Sequence, residues 1–294
     1  MPFISDERDG TSVPAFAPNR KLEILSLFAG IGGIDLGLSR AGLGETVALC
    51  EADKEAQQTL RARFPGVPIY DDVRSLTAEM LGRDGIFPNA IVGGFPCQDV
   101  SLAGGGAGLE GARSGLWREF ARLIGEIRPE LVLVENVAAL LGRGIGRVLG
   151  DLAAFRYDAE WHCIPASYAG ARQLRDRVFI VAYPQRDCVQ GRQTITAAWC
   201  QKSRAEQLAG LVQPCAWPTV SGSRDRGTGH GVPRGVHRNK QLGNAVVPQV
   251  VEILGHAILQ SIDHTSGKNA DALCFAGGSV RPFFHTTGDT DVGQ

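Results

Sequence analysis

A single thiol stands where an α/β protein would use it for covalent chemistry. Residues 90–98 read AIVGGFPCQ. Residues 90–92 are apolar and mostly β-branched, which predicts the end of a buried strand. Two glycines then permit a sharp turn, and Pro96 stiffens the backbone before Cys97. Because α/β sheets bind ligands at the carboxyl ends of their strands, Cys97 is a candidate nucleophile, with an inert buried thiol as the alternative.

A glycine-rich turn, residues 29–33, connects the first predicted strand to a predicted helix. This order of strand, turn and helix brings backbone N–H groups close to nucleotide-like ligands. The next predicted strand, residues 46–51, ends in Glu51, 18 positions after Gly33. A carboxylate about 20 residues after such a turn can accept ribose hydroxyls. The pair favours an adenosine-containing cofactor over a simple tight turn followed by a solvated acid.

Two further acids follow predicted strands. Asp72 comes after the short strand 67–70, where it either accepts from an adenine amino group or caps a helix predicted to begin near Ser75. Glu135 comes after the fully apolar run 131–134. A carboxyl group at that strand end, beside the thiol, is suited to acid–base chemistry if burial raises its pKa. The alternative is a helix cap.

A glycine-rich segment and a pair of arginines complete the candidate site. Residues 101–111 contain five glycines directly after the candidate nucleophile, which predicts a mobile lid rather than a plain linker. In an extended segment Arg175 and Arg177 share a face, so both guanidinium groups could meet one anion. A solvated edge strand is the competing interpretation.

Composition narrows the class of protein. The chain has 294 residues, 44% hydrophobic and 21% charged, with a net charge of −1, as is ordinary for a globular protein of one or two domains. We expect no membrane span and no signal peptide. Seven cysteines without a Cys-x-x-Cys pair argue against disulfides and against a zinc site. We therefore expect no metal and a cytoplasmic location.

The ordered motifs resemble those of the DNA (cytosine-5) methyltransferase family. Five segments carry the resemblance, in family order: FAGIGG at 28–33, GFPCQ at 94–98, ENV at 135–137, QLRDR at 173–177 and QLGNAVVP at 241–248. The resemblance spans about residues 22–255. It implies a doubly wound, mostly parallel α/β sheet that binds S-adenosylmethionine.

The resemblance also implies a role for each matching residue. In that chemistry Cys97 attacks C6 of a flipped-out cytosine, Glu135 engages N3, and C5 takes the methyl group. The residues matching catalytic positions are Cys97, Gln98, Glu135, Asn136, Arg175 and Arg177. Those matching cofactor positions are Phe28, Gly30, Gly32, Gly33, Glu51, Asp72, Val73 and Asn244. Ser101 would contact DNA, and duplex DNA is the implied partner.

The chain departs from the family pattern in two places. Arg172 stands where a proline is expected, and the spacer before Gln241 is short and lacks the usual arginine-bearing helix motif. Residues 186–240 carry nine Lys/Arg against three Asp/Glu. This basic segment predicts a DNA-contacting region, with Arg224 and Arg226 as candidates, although a solvated loop is the alternative.

We accordingly divide the chain into a catalytic domain and flanking parts. The catalytic domain comprises residues 21–185 and 238–262, and the recognition region comprises residues 186–237. Residues 1–20 form a lead-in, and no role is assigned to residues 263–294. We expect a monomer. A cognate restriction endonuclease is a candidate partner, although the sequence does not disclose whether one exists.

Three other functions stay open from the sequence. An RNA-directed relative would use the same chemistry. A catalytically silent DNA-binding relative is disfavoured because Cys97, Glu135 and the arginine pair are all present. A nicotinamide enzyme with an active thiol fits the glycine turn but leaves the later motifs unexplained.

Overall fold

The described residues form one mixed β-sheet with helices packed against it. The computed structural model describes residues 21–96, 115–171, 175–185 and 245–263. Within these residues seven strands lie in the order β3-β2-β1-β4-β5-β7-β6. The strands are β1 (Leu22–Leu27), β2 (Gly44–Cys50), β3 (Ile69–Tyr70), β4 (Ala90–Gly93), β5 (Leu131–Val137), β6 (Tyr157–Pro165) and β7 (Asp176–Pro184).

Most strand pairs are parallel. The pairs β1–β2, β1–β4, β2–β3 and β4–β5 are parallel, whereas β7 runs antiparallel to both β5 and β6. The predicted doubly wound, mostly parallel sheet is therefore confirmed. Because the parallel strands share one direction, the residues that follow β1, β2, β4 and β5 meet at one edge of the sheet.

Helices cover both faces of the sheet. They are α1 (Gly33–Arg40), α2 (Lys54–Arg63), α3 (Ala78–Arg83), α4 (Leu116–Ile127), α5 (Leu140–Arg143), α6 (Ile145–Ala154) and α7 (Pro248–Asp263), with a 3₁₀ turn at Ala166–Ala169. One core contains α1 and α7 residues, and the other contains α4 and α6 residues. In β5, Leu131 and Leu133 face the first core and Val132 and Val134 face the second. Burial on both faces explains the fully apolar run of this strand.

Several predicted boundaries shift. The strand β3 has two residues rather than four, and β6 begins at Tyr157 rather than near Trp161. The helix expected near Ser75 begins at Ala78, because the Thr77 side chain accepts from the Met80 N–H and caps it. No described helix is both long and apolar enough to cross a membrane.

Candidate active site

A cavity of about 580 Å³ opens at the carboxyl edge of the parallel strands. Its walls come from the segments after β1, β2, β3 and β4, from the end of β5, and from residues 245–246. Glu51 and Asp72 lie in the same cavity as Glu135 and Arg177. The acids that follow separate strands therefore line the same cavity, because the carboxyl ends of parallel strands lie at one edge of the sheet.

The glycine turn holds the Glu51 carboxylate with main-chain donors. Its Oε2 accepts from the Gly30 N–H at 2.7 Å, and its Oε1 accepts from the Asp53 N–H at 2.8 Å. Asp53 in turn caps α2, because its side chain accepts from the N–H groups of Glu55 and Ala56. The backbone thus fixes both oxygens of Glu51 against the turn.

Most of the predicted cofactor residues line the cavity. They are Phe28, Gly30, Gly33, Glu51, Asp72 and Val73. Gly32 differs from the expectation, because a Cβ at this position would collide with the ring of Phe64, the residue after α2, and not with a ligand. Its φ of 77° is a second reason for glycine there. Asn244 lies outside the described residues, next to Ala245, which lines the cavity.

Asp72 is engaged by a neighbouring arginine. Both of its oxygens lie within 3.0 Å of Arg74 Nε, and Arg74 Nη2 donates to Oδ2 at 2.7 Å. These hydrogen bonds lower the pKa of Asp72. Asp72 does not cap α3, contrary to one of the two predicted roles; its carboxylate instead accepts from the Arg74 N–H within the following turn.

Glu135 occupies the other end of the cavity and is the buried acid of the site. Its side chain is only 11% exposed, and its Oε1 lies 2.9 Å from Arg177 Nε. Burial raises the pKa of Glu135 to about 7, although the charges of Arg177 and Arg175 lower it. Protonated and ionised forms of this carboxyl group are therefore both populated near neutral pH, as a general acid–base group requires.

The two arginines reach this region by different routes. Arg177 lies in β7, where it stands opposite Val137 of β5. Arg175 precedes the strand and has a φ of 38°, so the alternation expected of an extended segment does not apply. Its Nη2 donates to the Ala245 carbonyl at 2.7 Å, while its charge still acts on Glu135. Arg175 thus also anchors the segment that precedes α7.

The turn before the candidate nucleophile is held tightly. A Cβ on Gly94 would lie 2.7 Å from Glu135 Oε2, so any larger residue there would displace this carboxylate. The Asn136 side chain donates to the Phe95 carbonyl at 3.2 Å, and the Phe95 ring packs 5.3 Å from that of Trp117. Asn136 therefore joins the end of β5 to the turn that leads to residue 97.

Five further predicted site residues lie outside the described residues: Cys97, Gln98, Ser101, Arg224 and Arg226. The lid predicted at 101–111 and the recognition region predicted at 186–237 also lie outside them. Their roles stay predictions. The structure does describe residues 90–96, and it brings the segment that ends at Pro96 into the cavity beside Glu135.

Comparison with known proteins identifies the family of the chain. The family model for C-5 cytosine-specific DNA methylase matches residues 22–213. The chain belongs to this family. The Bacillus subtilis Type II methyltransferase M2.BsuMI is 37% identical over 55% of the chain and 42% of that protein. The Picosynechococcus Type II methyltransferase M.AquIA is 32% identical over 54% of the chain and 71% of that protein.

The matches cover only part of many relatives. For several of the curated methyltransferases the matched segment spans about half of the relative's length. Among solved structures, a DNMT2 mutant from Spodoptera frugiperda aligns with a TM-score of 0.47 and 20% identity, over 57% of this chain and 54% of that one.

The methylase-family site also contains residues that sequence reasoning missed. Asp35 is buried and accepts from the hydroxyls of Ser26 at 3.0 Å and Thr46 at 2.8 Å, and burial raises its pKa. Its sequence signal was an acid inside the apolar helical segment GIDLGL. Gln57 is completely buried on α2, three positions before the buried Leu60, so helical periodicity places it on the buried face but does not indicate which groups bond its amide. Both residues support the strands and turns that line the cavity.

A cysteine among the described residues lines the cavity but is unsuited to nucleophilic attack. Cys50 ends β2, and burial together with the charges of Glu51, Asp72 and Asp71 raises its pKa to about 12. The thiolate is the nucleophilic form, so this thiol stays inactive at neutral pH. The cavity wall therefore supplies an internal contrast to Cys97.

Proposed function

We propose that this chain transfers a methyl group from S-adenosylmethionine to C5 of cytosine in duplex DNA, through a covalent adduct between Cys97 and C6 of a flipped-out base. The observation that carries the proposal is Glu135, a buried carboxyl group whose pKa of about 7 suits proton exchange. It shares a cavity with the glycine turn and touches the turn that precedes residue 97. Membership of the family supports the same reaction.

The cofactor end of the cavity fits S-adenosylmethionine. Each Glu51 oxygen accepts one backbone hydrogen bond and has further acceptor capacity, so ribose hydroxyls can still donate to it. Phe28, Gly30 and Gly33 would line the remainder of the ligand's site. When bound, S-adenosylmethionine supplies an electrophilic methyl group. No metal enters this chemistry.

Glu135 handles a proton at N3 of the base. As the Cys97 thiolate forms its bond to C6, the C5–C6 π electrons shift to C4–C5, the C4–N3 π electrons move onto N3, and N3 takes the proton of Glu135. C5 is then nucleophilic and takes the methyl group. A water molecule then takes the C5 proton, the C5–H electrons re-form the C5–C6 double bond as the C6–S bond breaks, and Cys97 leaves as thiolate. N3 returns its proton to Glu135, which restores the starting state of the site.

The arginines tune this exchange. Arg177 fixes Glu135 Oε1, and Arg175 adds positive charge nearby, so the pKa of Glu135 stays near neutrality despite burial. Without these charges, desolvation would hold the carboxyl group protonated at neutral pH. The same positive charge favours the thiolate form of a cysteine placed beside it.

DNA carrying 5-fluorocytosine tests the adduct. Fluorine cannot leave C5 as a proton does after methylation, so protein and DNA should stay joined through denaturing electrophoresis, only when S-adenosylmethionine is present. Cys97→Ser should abolish the complex, because a hydroxyl is far less ionised than a thiol. Cys163→Ser, on the exposed edge strand β6, is the matched control and should trap normally. A Cys97→Ser protein that methylates at the wild-type rate would contradict the mechanism.

The substrate and partners are part of the same proposal. Methyl transfer to duplex DNA and to tRNA should be compared, since an RNA-directed enzyme would use the same site. We propose that residues 186–237 choose the DNA sequence, with Arg224 and Arg226 in contact and Ser101 near the base. We also propose a cytoplasmic monomer. The Type II names of the relatives support a cognate endonuclease as its partner.

A further inference from the structure

We propose that Gln57 is a positioning residue that sets the geometry of the cofactor end, and hence the affinity for the adenosine part of S-adenosylmethionine. The proposal rests on the proposed function. Gln57 lies on α2, whose sequence KEAQQTLRAR is mostly polar, yet its side chain is completely buried. A buried amide without partners would be costly, so its contacts decide its role.

Three hydrogen bonds satisfy the buried amide. Its Nε2 donates to the Glu51 carbonyl at 2.6 Å and to Asp71 Oδ1 at 2.8 Å. Its Oε1 accepts from Arg61 Nη2 at 3.0 Å. The reverse orientation of the amide would place oxygen against two acceptors and nitrogen against a donor. The partners themselves therefore fix which atom is nitrogen and which is oxygen.

The hydrogen bonds of Gln57 extend the contact between β2 and β3 beyond the end of their short backbone pairing. The strands β2 and β3 share only the register pairs Leu49↔Ile69 and Cys50↔Tyr70. The Glu51 N–H still donates to the Tyr70 carbonyl at 2.9 Å, but the Glu51 carbonyl accepts from Gln57. The glutamine side chain thus joins the end of β2 to Asp71, where a longer β3 would supply a backbone donor.

Gln57 consequently links the two acids of the cofactor end. Glu51 carries one of its bonds, and Asp71, which carries another, is directly followed by Asp72. Lys54 also pairs with Asp71, but both of those side chains are about two-thirds exposed, and exposed ion pairs contribute little. The buried amide is therefore the stronger connection between the segments after β2 and β3.

Calorimetric titration with S-adenosylmethionine tests the proposal. Gln57→Met keeps the volume but removes all three bonds, so the dissociation constant should rise about tenfold. The kcat at saturating cofactor should stay near the wild-type value, because the Glu135 end is untouched. Gln58→Met is the matched control, since Gln58 is its exposed neighbour on α2 and should bind as wild type does. Equal affinity in the Gln57 and Gln58 variants would overturn the proposal.

A ligand analogue separates positioning from general loosening. The 2′-deoxyribose analogue of S-adenosylmethionine lacks one of the ribose hydroxyls from which Glu51 would accept a hydrogen bond. For each protein, the affinity for the cofactor is compared with the affinity for the analogue. If Gln57 acts through Glu51, this ratio should be clearly smaller in Gln57→Met than in the wild type. An unchanged ratio of the two affinities would mean that the substitution acts only on stability, and the proposal would fail.

Two further measurements distinguish a failure of the Gln57 proposal from a failure of the proposed function. If Gln57→Met does not fold, Arg61→Leu removes the bond to Oε1 and a positive charge near Asp71 while it leaves both Nε2 bonds in place, and it should weaken binding in the same direction by a smaller factor. Wild-type affinity in that variant would then contradict the inference. A wild-type protein that binds no S-adenosylmethionine would contradict the proposed function itself, and the inference would fall with it.

Discussion

Two glutamates at opposite ends of one cavity have different partners. Glu51, after β2, has both oxygens on backbone N–H groups. Glu135, in β5, pairs with the Arg177 guanidinium and is buried, which raises its pKa to about 7. The residue type is the same, and the environment differs. Main-chain donors fix an acceptor in place, whereas burial against a cation sets a proton equilibrium near neutral pH.

The difference teaches how one cavity can separate binding from proton transfer. A ligand-binding carboxylate needs a constant position, which a rigid turn supplies. A general acid–base group needs two accessible protonation states, which partial compensation of its desolvation supplies. Substitutions at the two positions should therefore change different kinetic constants.

The largest effect is expected at Glu135. Glu135→Gln keeps the shape but removes the exchangeable proton, so kcat for methyl transfer should fall about 10²–10⁴-fold, while DNA binding is retained. Single-turnover assays with labelled cofactor measure the rate. The matched variant, Glu51→Gln, should keep kcat at saturating cofactor and raise the KM for S-adenosylmethionine. Equal losses of kcat in both variants would remove the distinction between the two ends.

The stability of the protein should depend on pH through Glu135. The native pKa of about 7 lies above the ordinary value of 4.5, so the folded chain binds more protons between these values. This group's contribution to stability is therefore present below pH 4.5 and is lost as pH rises through 7, by up to about 3 kcal/mol. Urea unfolding at pH 5 and pH 8 should show a smaller pH difference in Glu135→Gln than in the wild type. The same difference in both proteins would contradict the raised pKa.

A smaller effect is expected on cofactor affinity. Glu51→Ala removes the acceptor for ribose hydroxyls and leaves two backbone donors without their partner, so the dissociation constant should rise about 10–100-fold. Calorimetry measures the change in affinity. Affinity within twofold of the wild type would place the cofactor elsewhere and make the two ends of the cavity alike.

Strand ends were the part of the site that sequence could predict. Parallel strands share one direction, so Glu51, Asp72 and Glu135 had to meet at one edge once the strands were recognised. The glycines before Cys97 were equally predictable as a turn. The close approach of Gly94 to Glu135 was not predictable, because it joins residues far apart in the sequence on the neighbouring strands β4 and β5.

Contacts between distant side chains were the part that sequence could not predict. Gly32 faces Phe64, and the buried Gln57 amide bonds to the Glu51 carbonyl and to Asp71; neither contact follows from local periodicity. Asp72 binds the nearby Arg74 rather than capping α3. The left-handed backbone of Arg175 was hidden too, since this conformation is rare outside glycine and depends on surrounding structure.

The shortness of β3 has a kinetic consequence. The cofactor end rests on two register pairs at the sheet edge, whereas β5 and β7 share six beside Glu135. Local opening costs least where few strand bonds must break. Amide protons near Ile69 should therefore exchange with solvent well before those of β5. The end of the cavity at which we propose the cofactor binds should therefore open more readily than the end that holds the Glu135–Arg177 pair.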